Sequence, residues 1–244
     1  MKQTLSYILS PLFHIYYALV FIITHPIQIV AHKIWGEEAR LSVIRGLNFF
    51  LTKGLSLLGA RISIVNKGKW PDGDSPIIIV ANHQSFYDIP ITAHLFRKNN
   101  VKFVAKASLG KRLPTISYNL KYGGSALIDR SNGGQAVRAL FKLGQHIQEH
   151  RFAACIYPEG TRSPNGQVQN FQKAGLQTLL RAAPEAQIIP FAIKGHAALI
   201  AQSRLWLRIG QHLQYTIFPA INPQGKDIST LIDELRTMIK NEVE

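Results

Sequence analysis

The sequence predicts an α/β fold in which helices flank a mostly parallel sheet, preceded by an N-terminal membrane-associated helical segment. From residue 60 onward, apolar runs of strand length alternate with stretches of helical period, as in parallel strands joined by helices. Before residue 60, the stretch 7–31 contains no Asp, Glu, Lys or Arg. We therefore divide the chain into membrane-anchoring helices, residues 1–59, and an α/β domain, residues 60–244.

The composition narrows the possible partners. The chain has 244 residues with 46% apolar content, enough for one sizeable domain and an appendage. Lys and Arg number 28 against 14 Asp and Glu, giving a formal charge of +14 that suits an anionic membrane surface, a polyanionic substrate or nucleic acid. The charges are scattered and no nucleic-acid-binding motif is present, so we expect no nucleic acid partner.

The uncharged N-terminal stretch is longer than the ~20 residues that a helix needs to cross a bilayer. Pro11 and Pro26 interrupt it. It could be a single spanning helix or a broken hairpin that enters one leaflet, and the prolines favour the hairpin. A third alternative is an amphipathic helix packed on the domain. Trp35 and the basic residues around it suit the headgroup level, which places the following domain on the cytoplasmic side.

The remaining elements follow in chain order. A helix is predicted over residues 37–58, separated from the membrane segment at Gly36 and ending at Gly59. Strands are predicted over residues 61–65, 77–81, 102–105, 125–128, 153–157, 188–193, 205–209 and 214–218. Further helices are predicted over residues 89–96, 135–150, 176–182 and 228–242, and a turn rich in Pro, Gly and Asp over 70–76. We expect the last strands to form an antiparallel edge of the sheet.

The first candidate site follows the apolar run 77–81 and reads Asn82-His83-Gln84-Ser85-Phe86-Tyr87-Asp88. His83 would lie on the loop at the C-terminal end of a strand, where ligands bind in open α/β sheets. Asp88 would lie near the N-cap of the next helix. A carboxylate that holds one imidazole nitrogen leaves the other nitrogen free to act as a base. Alternatively, Asp88 only caps the helix and His83 is a surface loop residue.

The second candidate site also follows an apolar strand and reads Tyr157-Pro158-Glu159-Gly160-Thr161-Arg162-Ser163. Gly160 lets backbone N–H groups approach an anion, and Arg162 offers a planar fork that suits a phosphate. Thr161 adds a hydroxyl donor, and Glu159 could orient Arg162. The alternative is an ordinary turn with a solvated Glu–Arg pair.

The two motifs resemble signatures of the glycerolipid acyltransferases, N-H-x-x-x-x-D and F-P-E-G-T-R-S. Two further blocks, residues 126–130 and 189–195, resemble the I-D-R and V-P-V-A-I-x-G blocks of that family in order and spacing. The closest resemblance is to bacterial 1-acyl-sn-glycerol-3-phosphate acyltransferases, and it covers roughly residues 60 to 220. The segment from Lys106 to Ser117 departs from the pattern, with Ser108 in place of an acid and Ser117 in place of a glycine.

The resemblance implies the glycerolipid acyltransferase fold and an acyl transfer reaction. The donor would be acyl-CoA or acyl-carrier protein, and the acceptor would be the sn-2 hydroxyl of lysophosphatidic acid (1-acyl-glycerol-3-phosphate), giving phosphatidic acid. His83 would be the general base and Asp88 its orienting partner, with direct attack and no acyl-enzyme. The expected substrate-binding residues are Glu159, Gly160, Thr161, Arg162, Arg130 and Lys106. The resemblance to bacterial enzymes also implies the inner membrane, with the catalytic domain on the cytoplasmic face.

Alternatives to this function remain open at the level of the sequence. The acceptor could be a lyso-aminolipid or another lysophospholipid, or the protein could be a transacylase that uses a phospholipid donor. A basic protein that only binds membrane surfaces would match the charge but would leave the two motifs unexplained. His146 and His150 have a spacing that can bind a metal, but no third ligand lies nearby in the sequence, so we expect neither metal nor cofactor.

Overall fold

Most of the strands predicted from apolar runs are present in the structure. The computed structural model describes residues 2–68, 75–111, 113–201, 203 and 205–244. The strands are β1 (Arg61–Asn66), β2 (Ile77–Ala81), β3 (Lys102–Lys106), β4 (Ala126–Ile128), β5 (Ala153–Ile156), β6 (Gln187–Lys194) and β7 (His212–Ile217). The helices are α1 (Lys2–Gly54), α2 (Asp88–Leu95), α3 (Pro114–Tyr122), α4 (Gly133–His150), α5 (Lys173–Ala182), α6 (His196–Ile200) and α7 (Ile228–Val243).

The seven strands of the described residues form one sheet in the order β1-β7-β6-β2-β5-β3-β4. The strands from β6 to β4 pair in parallel, and β7 runs antiparallel to β6. The mostly parallel sheet with an antiparallel strand near the end of the chain is thus confirmed. β7 is not the edge, because β1 pairs with it in parallel and lies outside it.

Two apolar layers cover the sheet, one on each face. Alternate residues of the central strands point to opposite faces, so Ile77 and Ile79 pack with α1 and α2, while Ile78 and Val80 pack with α4, α5 and α7. All five residues of β2 are buried. This explains why its sequence reads as a continuous apolar run and not as an alternating one.

α1 consists of two helices, residues 2–35 and 37–54, that fold back on each other, so that the hydroxyls of Tyr16 and Tyr17 donate to the carbonyls of Phe50 and Leu51. It is non-helical at Gly36 (φ 80°, ψ −166°), where the sequence predicts a break. Residues 2–35 are one continuous helix despite the two prolines, so the break predicted within this stretch is wrong and the chain turns back at Gly36 instead. Its inner face is held by the domain: Ser6 Oγ donates to the carbonyl of Leu207 at 2.6 Å, and Phe13 is fully buried in the core.

The outer face of α1 is apolar and exposed. Ile8, Leu12, Ile15, Leu19 and Ile22 recur at helical spacing, and each has at least half of its surface accessible. Among the described residues, one helix, in this N-terminal region, is long and apolar enough to cross a membrane by length and composition. A row of exposed apolar side chains of this length is typical of a surface that contacts a membrane or another protein.

The predicted strand over residues 205–209 is wrong. Leu207 is buried, but its backbone N–H donates to Ser10 Oγ and its carbonyl accepts from Ser6 Oγ. Because side chains of α1 take both backbone groups, this segment has no strand partner. Two short helices, α3 and α6, were not predicted. The predicted turn over 70–76 lies mostly in residues 69–74, outside the described residues.

Candidate active site

Four parallel strands end at one edge of the sheet and bring the predicted site residues together. β2, β5, β3 and β4 are neighbours in this order and run in the same direction. His83 follows β2, Arg162 follows β5, Lys106 ends β3, and Arg130 follows β4. The strand order therefore places in one row four residues that are far apart in the sequence.

His83 and Asp88 form a hydrogen-bonded pair. His83 Nδ1 lies 2.7 Å from Asp88 Oδ2, and the His83 side chain is 14% exposed while Asp88 is completely buried. Because a carboxylate only accepts, Nδ1 of His83 carries the proton in this contact. Nε2 is then the unprotonated nitrogen of the neutral ring, with no hydrogen-bond partner among the described residues. The loop curls back as a spacing of five residues requires.

Asp88 is the first residue of α2 but does not cap it. Its Oδ2 accepts the backbone N–H groups of Gln84 at 2.6 Å and Ser85 at 2.8 Å, and its Oδ1 accepts from Ser85 Oγ at 3.2 Å. The capping alternative is therefore wrong. Burial raises the pKa of Asp88, but the hydrogen bonds from His196 and His83 outweigh burial and hold this pKa well below its ordinary value of 3.8. The carboxylate is ionised at neutral pH.

Two amides fix the loop that carries His83. Asn82 donates to the carbonyl of Ile193 and accepts its N–H, both at 2.8 Å, so its side chain extends the pairing between β2 and β6. Gln84 accepts the N–H of Ala197 at 3.1 Å and donates to the carbonyl of Gly166 at 3.2 Å. The loop is thereby attached to both neighbouring loops, which restricts where His83 can point.

Glu159 joins the two motif loops to each other. Its Oε1 accepts the backbone N–H of His83 at 2.7 Å, and its Oε2 accepts that of Gln169 at 3.0 Å. Both carboxylate oxygens thus bind backbone, and Glu159 does not orient Arg162 as expected. Burial raises the pKa of Glu159, with the two backbone hydrogen bonds acting in the opposite direction. Tyr157, at the start of the same loop, stacks on the His83 ring with centroids 4.2 Å apart.

His83 and the predicted cationic residues line one cavity of about 1270 Å³. Gly160 and Thr161 also face it. Part of its wall is apolar, with Ile44 and Leu47 from α1, Phe103 from β3 and Leu120 from α3. Seven basic side chains and no carboxylate line it among the described residues: Arg40, Arg45, Arg97, Lys102, Lys106, Arg130 and Arg162. The cavity suits a ligand with both apolar and anionic parts.

Arg162 and Arg130 are free to bind a ligand. Both side chains are exposed, and neither forms an ion pair within the described part of the chain. Asp129, the nearest acid in sequence to Arg130, instead accepts hydrogen bonds from the N–H and the hydroxyl of Ser131. Those hydrogen bonds lower the pKa of Asp129. An internal pair between Asp129 and Arg130, the alternative to a ligand-binding role for Arg130, is therefore not formed.

Sequence reasoning missed His196. It begins α6 and is completely buried, with Nδ1 at 2.5 Å from Asp88 Oδ1 and Nε2 at 2.6 Å from the hydroxyl of Tyr215. The one local signal is Gly195 before it (φ 98°), where an added Cβ would lie 2.2 Å from the carbonyl oxygen of His212. That glycine indicates a forced turn, but nothing in the sequence indicates that the turn leads to Asp88.

Residues 61–194, more than half of the chain, match the family model described as Acyltransferase. The chain belongs to this acyltransferase family. It is 28% identical over 180 residues to a 1-acyl-sn-glycerol-3-phosphate acyltransferase of Chlamydomonas reinhardtii, covering 73% of this chain and 52% of the relative. It is 27% identical over 147 residues to the enzyme of that name from Saccharomyces cerevisiae, covering 59% of this chain and 46% of the relative. The chain thus spans about half the length of these relatives.

The fold of this acyltransferase-family chain also has a solved counterpart. The crystal structure of the 1-acyl-sn-glycerophosphate (LPA) acyltransferase PlsC from Thermotoga maritima superposes with a TM-score of 0.81 over 99% of this chain and 96% of that one. The sequences are 22% identical. The likeness extends over α1 as well as the α/β domain, so it confirms the predicted fold class.

Proposed function

We propose that this acyltransferase-family protein transfers a fatty acyl group from acyl-CoA or acyl-carrier protein to the sn-2 hydroxyl of lysophosphatidic acid, which gives phosphatidic acid. The observation that carries the proposal is the His83–Asp88 pair, which leaves Nε2 of His83 free beside a cavity lined by cationic residues. The names of the relatives and the apolar wall of the cavity support the same substrate class.

His83 is the general base of the proposed reaction. An alcohol is a poor nucleophile until it loses its proton, and a neutral imidazole is suited to remove it near pH 7. Nε2 takes the proton as the sn-2 oxygen attacks the thioester carbonyl carbon. The ionised Asp88 stabilises the imidazolium that forms, as the geometry of their hydrogen bond allows.

Collapse of the tetrahedral intermediate completes the transfer. The new ester C–O bond stays, the C–S bond breaks, and the imidazolium returns its proton to the departing thiolate, so the thiol of CoA or of the carrier protein leaves. The oxyanion of the intermediate needs donors, for which Lys106 and backbone N–H groups near the motif are the candidates.

Two nucleophilic side chains near His83 are buried, which favours direct attack of the acceptor hydroxyl on the thioester over an acyl-enzyme. Cys155 is buried in β5, and burial raises the pKa of its thiol far above the ordinary value. Ser85 is also buried, and its hydroxyl donates to Asp88. Neither can receive an acyl group from a substrate in the cavity. The burial of these two nucleophiles supports direct attack with His83 as the base.

Arg162 is the proposed clamp for the acceptor's phosphate. Its planar guanidinium is exposed to the cavity, and Gly160 and Thr161 add an unobstructed backbone and a hydroxyl. Arg130 supplies a second cation from the end of β4. Glu159 holds this loop in place by accepting two backbone N–H groups. It is therefore a positioning residue and not a ligand for the substrate.

The proposed location is the inner membrane, with the catalytic domain on the cytoplasmic face. The inner face of residues 2–35 packs on the domain, and the outer face is apolar, which supports a helix lying along one leaflet over a spanning one. A lipid acceptor would then reach the cavity from the membrane, since Phe21, Ile44 and Leu47 of α1 line the cavity.

Product identification tests the proposed function. The purified full chain is given acyl-CoA or acyl-carrier protein and a panel of lysolipids, and the products are identified by mass spectrometry. We expect phosphatidic acid, formed from lysophosphatidic acid faster than any other phospholipid is formed from its lysolipid. Preferential acylation of a lyso-aminolipid, or transfer from a phospholipid without any thioester, would contradict the proposed acceptor or donor.

A further inference from the structure

His196 is a buried group that the proposed mechanism does not yet use. It lies at the start of α6, directly after β6, and meets Asp88 across the end of the sheet. Its ring is completely buried and both ring nitrogens have partners. A buried imidazole with two partners of this kind is fixed in position and tautomer.

The hydrogen bonds around His196 have a defined direction. The Asp88 carboxylate only accepts, so Nδ1 of His196 donates to Oδ1, as Nδ1 of His83 donates to Oδ2. In the neutral ring, Nε2 of His196 then accepts from the hydroxyl of Tyr215. Burial, and to a lesser extent the charge of Asp88, raise the pKa of Tyr215 well above its ordinary value of 10, so this phenol keeps its proton. A chain of donors thus runs from Tyr215 through His196 to Asp88.

We propose that His196 is a positioning residue for the proton transfer. Its hydrogen bond to Oδ1 of Asp88 fixes the carboxylate and offsets part of its negative charge, so that His83 is available as a neutral base. This role rests on the proposed function of His83. A carboxylate with one imidazole partner would attract the proton of that partner strongly. A second imidazole on the other oxygen shares the negative charge, and His83 then holds its second proton less tightly.

The titration of His83 can report this role, because few groups around it change charge near neutral pH. Among the described residues, the titratable groups in contact with or close to Asp88, His83 and His196 are Tyr87, Cys155, Tyr157, Glu159 and Tyr215. Lys106 and Arg162 line the same cavity as His83. Burial raises the pKa of the thiol and of all three phenols, so they stay neutral. Glu159, whose pKa burial raises, is the other acid whose charge His83 feels. It is the same in every variant below.

The test measures the titration midpoint of His83 by NMR of the histidine-labelled full chain in detergent micelles. In His196→Leu we expect the midpoint to rise by about one pH unit, because one charge-assisted hydrogen bond to the carboxylate is lost. His196→Asn keeps an N–H donor at the position of Nδ1 and should restore most of the wild-type midpoint. Tyr215→Phe, which removes a hydroxyl with little change of volume, should give a smaller rise.

Kinetics supply the second readout. The acid limb of the pH profile of kcat/KM should move to higher pH with the NMR midpoint, while KM for the lysolipid stays within about twofold of the wild type. His94→Leu is the matched control, since it removes an imidazole from the same helix that carries Asp88, and His94 Nδ1 is buried without a hydrogen-bond partner among the described residues. It should leave the His83 midpoint where it is.

The outcomes separate this inference from the proposed function. A folded His196→Leu variant with an unchanged midpoint would overturn the inference, and so would an asparagine variant that behaves like the leucine variant. If His196→Leu does not fold, an unchanged midpoint in Tyr215→Phe overturns it instead. The NMR titration needs no substrate. A wild-type protein that acylates no lysolipid would overturn the proposed function while the shift in midpoint still decides the role of His196.

Discussion

At the scale of single residues, Asp88 organises the site more than His83 does. Its two oxygens accept five hydrogen bonds, from two backbone N–H groups, one hydroxyl and two imidazoles. A buried carboxylate is costly unless it is fully hydrogen-bonded, and here every donor comes from the site itself. The ionised form of Asp88 therefore contributes both to the fold and to the orientation of His83.

The stability of Asp88→Asn should depend on pH in a defined direction. The folded-state pKa of Asp88 is lowered, so its stabilising contribution is present above the ordinary value of 3.8 and is lost as the pH falls below it. We expect Asp88→Asn to destabilise the protein by roughly 1–3 kcal/mol at pH 7. In urea titrations the gap to the wild type should begin to shrink as the pH falls through about 4, and it should go on shrinking as the pH approaches the lowered pKa of folded Asp88. A gap that does not change with pH would show that the carboxylate is not ionised in the native state.

Arg162→Ala should separate acceptor binding from chemistry. A guanidinium that holds the phosphate makes the same contact in the ground state and the transition state, so its loss should raise KM for the lysolipid more than it lowers kcat. Charge-assisted hydrogen bonds predict an increase of roughly 10- to 150-fold. Arg162→Lys keeps the charge but not the planar fork and should recover only part of this. An increase confined to KM of the acyl donor would mean that this loop holds the donor's phosphates instead.

At the scale of elements, the strand ends position the site residues, and α1 supplies an apolar outer surface. The parallel strands place His83, Arg162, Lys106 and Arg130 in one row because their C-terminal ends share one edge. α1 lies across the domain with Phe13 in the core, and its outer face is left apolar. An element that is bound to the domain on one face and apolar on the other can hold a cavity at a membrane surface.

The outer face of α1 should control membrane binding. Leu19 and Ile22 are 50% and 66% exposed, so Leu19→Glu with Ile22→Glu should leave the fold intact. The double variant should lower partitioning onto phosphatidylglycerol-containing vesicles by at least about tenfold, since each apolar side chain contributes roughly 1.5–3 kcal/mol when buried. Ile64→Glu, on the exposed side of β1, is the matched control and should float with the vesicles like the wild type. Unchanged flotation of the double variant would show that another surface holds the membrane.

Some of these elements could be predicted from the sequence and others could not. The buried strand β2 and the loop after it could be predicted, because a continuous apolar run and a polar motif are both local patterns. The loop conformation at Leu207 could not be predicted, because its backbone groups bind two serines of α1 that lie far away in the sequence. The role of His196 was hidden for the same reason. Its partner Asp88 approaches only when β6 and β2 pair in the folded sheet.

At the scale of the whole molecule, the net charge and the cavity support the proposed lysolipid substrate. The chain carries a formal charge of +14, and the described residues around the cavity supply basic side chains without a carboxylate. The apolar part of the cavity wall comes partly from α1, so the segment predicted as a separate anchor, residues 1–59, also builds the cavity. The boundary between residues 59 and 60 stays a prediction. Removing residues 1–35 would expose Phe13 and its neighbours in the core, and we expect such a protein to fold poorly.

The proposal that His83 is the general base is tested most directly by the turnover of His83→Ala with lysophosphatidic acid and acyl-CoA at saturating concentrations. A general base contributes typically 10²–10⁴-fold, so kcat should fall by about that factor. The melting temperature should stay close to that of the wild type, because the side chain of His83 is partly exposed and its backbone contacts to Glu159 and Ser163 remain. A His83→Ala protein that folds normally and retains about half of the wild-type kcat would contradict the account.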